Sequence, residues 1–155
     1  MGDLADGGPR RRRRDRPPAE WHGGHPATHR GPRGRVVNPH AHVRGEDLAG
    51  VDGTRVVRVE GEVDLANAHD VLDLILGRVS KDTTHVVLDL SATTYLDSSG
   101  VAMVFRLADR LGTSRQELRL VVPDGSPIRA VIELTSVDRV VRVDTAVSDA
   151  ADRSR

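Results

Sequence analysis

The chain has 155 residues, with 23 Lys+Arg balancing 23 Asp+Glu, no cysteine, and one each of Trp, Tyr and Phe. Zero net charge withholds the basic excess that phosphate neutralisation needs, and the lack of Cys excludes a disulfide scaffold, a Cys-ligated zinc site and a thiol nucleophile. No run nears the roughly 18 apolar residues that span a bilayer. The basic stretch Arg10 to Arg14 leads into Asp15-Arg16-Pro17-Pro18 rather than an apolar signal core, so a soluble cytoplasmic protein is expected.

The averages conceal a boundary. Residues 1–50 hold nine of the 15 glycines, six of the 8 prolines and five of the 7 histidines, with ten basic residues against six acids. So few apolar side chains cannot offset the ordering entropy of such a segment, and residues 1–42 are expected to form a disordered arm. From Val43 apolar residues return with period. Val43 to Leu48 reads as a polar edge strand, and Val51-Asp52-Gly53-Thr54 as a turn before a Val-rich strand over Arg55 to Val63. Leu65, Ala68, Val71, Leu72, Ile75 and Val79 recur at helical spacing. Val86 to Leu90 is a short apolar run, as in a strand buried on both faces. Ser91 to Leu96 reads as a polar loop. Beyond it Val101, Val104, Phe105, Ala108 and Leu111 form one stripe, closed by Gly112 at a helix C′ position. Leu118 to Val122 is a further strand, stopped by Pro123-Asp124-Gly125. Ser126-Pro127 reads as N-cap and N1 of a third helix with the stripe Ile128, Val131, Ile132 and Thr135. Val140 to Val143 is the last strand, and residues 148–155 read as a polar tail or frayed helix. Strands alternating with crossover helices predict one α/β domain over residues 43–147, with a mostly parallel sheet and an edge strand.

The sharpest local signal is Asp97-Ser98-Ser99-Gly100, between a strand pattern and an amphipathic helix. Asp and Ser are preferred N-caps, and a first-turn Gly allows close packing, so a purely structural role is open. The functional alternative places a Ser hydroxyl among the free N–H groups of a helix N-terminus, where an attached phosphate is tolerated. A serine hydrolase acting through Ser98 lacks a base: the domain offers only His69 and His85, and Gly-x-Ser-x-Gly is missing. No catalytic residue is assigned. Glu62, Asp64, Asp89 and Asp97 admit a paired-carboxylate or Mg²⁺ reading, but acids at strand ends are usually caps or solvated, and neither a metal nor a nucleotide cofactor is expected. His22, His25 and His29 sit in the arm without Cys or fixed geometry, which favours adventitious metal binding. The run Arg10 to Arg14 reads as a solvated tail; a DNA-binding role would require salt-sensitive affinity lost with the arm.

The stretch Val56-Val57-Arg58-Val59-Glu60-Gly61-Glu62-Val63-Asp64, then a helix, then Val86-Val87-Leu88-Asp89-Leu90, then Leu96-Asp97-Ser98-Ser99-Gly100-Val101, resembles the STAS domain, most closely the bacterial anti-sigma factor antagonists. Ser126 to Val131 and Leu134 to Val137 fit the same pattern. The resemblance covers residues 43–147 and leaves the arm outside. Val101-Ala102 departs from the Leu-Gly that often follows the motif glycine. The resemblance implies a protein-binding switch rather than an enzyme. Such a protein binds an anti-sigma factor, often a serine kinase, and so frees a sigma factor. Phosphorylation of Ser98, with Ser99 as second choice, abolishes binding, and a serine phosphatase restores it. The implied docking residues are Asp64, Asp97, Ser98, Ser99, Gly100 and Met103, with Met103 as an apolar contact and Gly100 admitting the partner's backbone. Direct nucleic-acid or membrane contact is not implied, and a monomer or weak dimer is expected. The alternative is a STAS scaffold subunit of a stress-signalling or transport complex that binds constitutively.

Overall fold

A computed structural model describes residues 40–48 and 51–152, which lie within one unit of the chain. The arm expected over residues 1–42 falls, up to residue 39, outside the described residues. Among the described residues six strands form one sheet: β1 (Ala41–Asp47), β2 (Thr54–Val63), β3 (His85–Asp89), β4 (Thr93–Leu96), β5 (Glu117–Val121) and β6 (Arg142–Asp144). Four helices accompany them: α1 (Ala68–Leu76), α2 (Ser98–Thr113), α3 (Arg129–Leu134) and α4 (Val147–Asp152). The strands run in the order β1-β2-β3-β5-β6, with β4 also on β2. Only β1 is antiparallel to its neighbour, as expected for an edge strand added to a parallel sheet.

Alternation along the strands divides the side chains between two faces. Val57, Val59, Val63, Val86, Leu88, Leu90, Leu118 and Leu120 pack into the larger core with Val71, Leu72 and Ile75 of α1 and Val104, Leu107 and Leu111 of α2. Val56, Val87 and Val121 form a smaller cluster on the other face, closed by Ala150 of α4. Within the segment from residue 148, the described residues up to Asp152 lie in α4, where Ala150 and Ala151 are buried. On this second face Arg58 reaches across to Asp89, its register partner, at 2.8 Å, and Arg119 lies beside Asp144 and Glu117.

Several sequence expectations shift. Ser91 to Leu96 is not a loop throughout, because Thr93–Leu96 forms β4; its buried Thr93 sends its hydroxyl to the Val59 carbonyl at 2.8 Å. Helix α1 starts at Ala68, leaving Leu65 outside it. Gly112 lies inside α2; the left-handed residue after the helix is Arg115, at φ 59°. Helix α3 starts at Arg129, and the Ser126 hydroxyl accepts from the Ile128 amide at 3.4 Å in the turn that precedes it. A 3₁₀ turn, Val137–Arg139, intervenes before β6.

The irregularity that matters for function lies in β2. Residues Thr54 to Arg58 pair with β3, whereas Gly61 to Val63 pair with β4, and the register shifts between Gly61 and Glu62. Gly61 adopts φ +94°, and a Cβ there would collide with the His40 carbonyl. Only glycine fits this bulge. The shift brings the last residues of two parallel strands, Val63 and Leu96, into register. Each is followed by an aspartate.

Candidate functional site

Asp64 and Asp97 leave the C-terminal ends of β2 and β4 side by side, with the Asp97 amide donating to the Val63 carbonyl at 3.2 Å. Asp97 is the N-cap of α2. Its Oδ1 accepts from the Ser99 and Gly100 amides at 2.7 and 3.0 Å. Its Oδ2 accepts from the Leu65 amide at 3.1 Å, in the β2–α1 connection. One carboxylate thus ties together the two turns that form this rim of the sheet.

The β2–α1 connection is itself closely held. Asp64 Oδ1 accepts from the Ala66 amide at 2.9 Å, and the Asp64 amide donates to Asn67 Oδ1 at 3.0 Å. Asn67 is buried, and its Nδ2 donates to the Glu62 carbonyl at 2.8 Å. The Asp64 carbonyl accepts from the Asn67 and Ala68 amides at 3.2 and 2.8 Å. Every amide from Asp64 to Ala68 therefore has an acceptor. Asp64 and Asp97 act here as hydrogen-bond acceptors for backbone, the bland role available to acids at strand ends.

The six residues expected to meet a partner separate sharply. Ser98, at the first helical position of α2, is exposed; Ser99 is half-buried. Gly100 is buried, and a Cβ would run into Leu96 Cδ1 and come within 3.1 Å of the Val63 carbonyl. Its lack of a side chain serves packing of α2 on β2 and β4, not the approach of a partner backbone. Met103 is 1% exposed and lies in the larger core. The expected outward-facing Met is corrected by the neighbours of α2. That helix packs against α1, β5, β4 and the 3₁₀ turn, so its buried arc takes in Met103 as well as Val101 and Val104. The amides near Ser98 are likewise not free for a phosphate, since Asp97 already occupies those of Ser99 and Gly100.

Among the described residues Leu65, Tyr95, Leu134 and Val140 are the exposed large apolar side chains, and the first two lie on the β2–α1 connection and on β4. Leu65, counted in a helical stripe, is 82% exposed at the tip of the β2–α1 connection, and Tyr95 is half-exposed on β4 opposite Glu62. No periodicity marks Leu65 as a loop residue; Asp64 and Asn67, both suited to Asx-type turns, are the signal that does.

The other candidate groups stand apart from this rim. The Asp89 carboxylate is engaged by Arg58 and by the Ser91 amide, at 2.8 and 2.9 Å. His85 begins β3, at the opposite end of the parallel strands from Ser98, and its Nδ1 is 3.0 Å from the Thr84 hydroxyl. His69 Nε2 is 3.8 Å from Asp73 on its own helix. Among the described residues, no three His, Asp or Glu side chains are grouped to hold a metal, and no helix is long and apolar enough to cross a membrane.

A parallel sheet with an added antiparallel edge, whose last two registered strand ends frame an Asp-capped Ser, is matched by the STAS domain family model over residues 47–150. The chain belongs to the STAS domain family, among the anti-sigma factor antagonists. It is 31% identical over 104 residues to the anti-sigma-F factor antagonist RsfB of Mycobacterium tuberculosis, a match covering 66% of this chain and 83% of RsfB. The crystal structure of an anti-sigma factor antagonist from Mycobacterium paratuberculosis superposes with a TM-score of 0.66 at 28% identity, over 77% of this STAS protein and 99% of that chain. Bacillus SpoIIAA in its unphosphorylated form shares the fold, with a TM-score of 0.55 at 20% identity, over 72% of this chain and 95% of its own.

Proposed function

We propose that this STAS protein binds an anti-sigma factor while Ser98 carries a free hydroxyl, thereby releasing a sigma factor, and that phosphorylation of Ser98 ends the interaction. The observation that carries the reading is the exposure of Ser98 at the start of α2, next to the Asp97-capped turn, while Gly100 and Met103 are buried. Similarity to RsfB, named as an antagonist of an anti-sigma-F factor, supports the partner class. The partner is a serine kinase: Ser98 Oγ attacks the γ-phosphorus of ATP, ADP leaves, and the hydroxyl proton passes to a base on the kinase. A serine phosphatase returns the hydroxyl. The switch operates in the cytoplasm, where sigma factors meet RNA polymerase.

Phosphorylation adds about −1.5 to −2 charges at pH 7. Ser98 already lies beside Asp97, with Asp64 and Glu62 at the neighbouring strand end. A desolvated contact shaped for a neutral hydroxyl loses several kcal/mol when a bulky charged group is forced into it, about a hundredfold or more in affinity.

The test is a pull-down from native lysate with Ser98→Ala and Ser98→Asp proteins as baits. Titration with the purified partner, with and without ATP, follows, and the modified residue is mapped by mass spectrometry. The expected result is an anti-sigma factor kept by the Ala bait and lost by the Asp bait. Loss of binding by the Ala protein on incubation with ATP would assign the acceptor elsewhere, Ser99 first. Equal retention of a scaffold or transport component by both baits would favour constitutive binding.

A further inference from the structure

We infer that Asp97 is a positioning residue for partner binding. Its Oδ2 fixes the Leu65 amide, so that the β2–α1 connection presents the Leu65 side chain as the apolar anchor for the anti-sigma factor. This rests on the reading of the preceding subsection.

An exposed leucine is by itself ordinary. Leu65 differs because its backbone is immobilised: all five amides from Asp64 to Ala68 are bonded, and buried Asn67 clamps the turn from beneath. A turn built this tightly holds its tip side chain in solvent at 82% exposure, and ordering an anchor before binding removes part of the entropic cost of association. The clamp also runs directly to the switch, because the acceptor of the Leu65 amide is the residue preceding Ser98. Glu62 and Asp64 put negative charge beside the anchor, while the Asp97 carboxylate is taken up by the Leu65, Ser99 and Gly100 amides. The partner surface that fits is therefore an apolar recess with basic side chains on its Glu62 and Asp64 side, adjoining an uncharged contact to Ser98.

Asp97→Asn separates the two duties of the carboxylate. Asparagine is as good an N-cap as aspartate, so the bonds to Ser99 and Gly100 survive. Its second polar atom is then an NH₂ donor, which cannot accept from the Leu65 amide. Amide hydrogen exchange on the full-length protein should show Leu65 protection falling tenfold or more in Asp97→Asn, with Ser99 and Gly100 little changed. Affinity for the purified anti-sigma factor retained by the Ser98→Ala protein should fall about tenfold in Asp97→Asn and at least as much in Leu65→Ala. The double variant should lose no more than Leu65→Ala alone, since both changes act through one anchor. Unchanged Leu65 protection in Asp97→Asn, wild-type affinity in Leu65→Ala, or additive losses would each overturn the inference. Leu65→Ala alters an exposed side chain, so it remains decisive even if Asp97→Asn unfolds. A wild-type protein that captures no anti-sigma factor would sink the preceding reading and this one together, whereas binding that ignores Leu65 would sink only this one.

Discussion

Gly100 and Met103 show how a motif residue can matter without touching a partner. A methyl group at Gly100 would meet Leu96, which is itself buried, and the Val63 carbonyl, both at the strand ends that align Asp64 with Asp97. Gly100→Ala gains about 1 kcal/mol of helix propensity but overpacks a close contact, which costs about 1–3 kcal/mol. A net loss of stability in urea unfolding is expected. Met103→Ala should destabilise by about 2–5 kcal/mol as a core truncation. Its folded fraction should still bind the partner with unchanged affinity, measured by titration corrected for unfolded protein. Asp89 presents the third residue-scale case. Burial alone would push its carboxyl up, but hydrogen bonds from Ser91 and Arg58 outweigh that and hold it below its ordinary value of 3.8. A group depressed in the folded state contributes stability above its unfolded value and loses it as pH falls through the folded one. Asp89→Asn should therefore flatten the stability profile below about pH 4 and cost about 1–3 kcal/mol at neutral pH. The cost stays in that range because the Arg58 side chain is 42% exposed and keeps water when its partner is lost. Denaturant midpoints across pH 2–7 would check both.

At the scale of elements, α2 meets charge at its N-terminus in a way that fixes what Ser98→Asp does to the fold. An acid at the first helical position gains about 0.3–1 kcal/mol from the helix dipole. The neighbouring Asp97 carboxylate opposes it, and the nearest amide donors are already taken. These effects nearly cancel, so melting should change by no more than about 2–4 °C while partner binding is lost. A larger fall in melting temperature would point to the capping role of the Asp97-Ser98-Ser99-Gly100 turn as the whole of its function. The long elements were legible from periodicity alone: β2, β3, β5 and the body of α2 lie where Val and Leu spacing puts them. What escaped was set by tertiary context. Thr93-Thr94-Tyr95-Leu96 reads as loop because only its ends, Thr93 and Leu96, are buried, and it becomes a strand by pairing with β2 beyond the Gly61 bulge. Leu65 fits a helical period that the Asp64 and Asn67 turn interrupts. The Asp-Ser-Ser-Gly turn was visible as a motif, but which of its residues face outward depended on how wide an arc of α2 its neighbours bury.

For the whole molecule, the sheet has unequal covers, and this decides which ends of the chain the fold needs. One face carries α1, α2 and the Ile128, Ile132 and Val137 side chains; the other has the Val56, Val87 and Val121 cluster under α4, flanked by the Arg58–Asp89 pair. Removing residues 147–155 would take away Ala150 and Val147 and expose Val56, Val87, Val121 and the partly buried Leu48 beneath them. Burial of apolar surface is worth roughly 25 cal/mol per Å², so uncovering several Val side chains costs about 2–4 kcal/mol. Removal of residues 1–39 should instead leave the domain melting cooperatively at nearly the full-length temperature. The cut must stop there. The His40 carbonyl accepts from the Glu62 amide at 2.7 Å, directly after the Gly61 bulge that sets the β2–β4 register. Deleting residues 1–40 should thus lower the melting temperature relative to deletion of 1–39, and should weaken partner binding through the same rim that carries Asp64, Leu65 and Asp97. Calorimetry and titration on the two truncations side by side separate the outcomes. Identical behaviour would mean that the bulge is held by β4 alone, and a loss of cooperative melting on removing residues 1–39 would show that the arm contributes to the core.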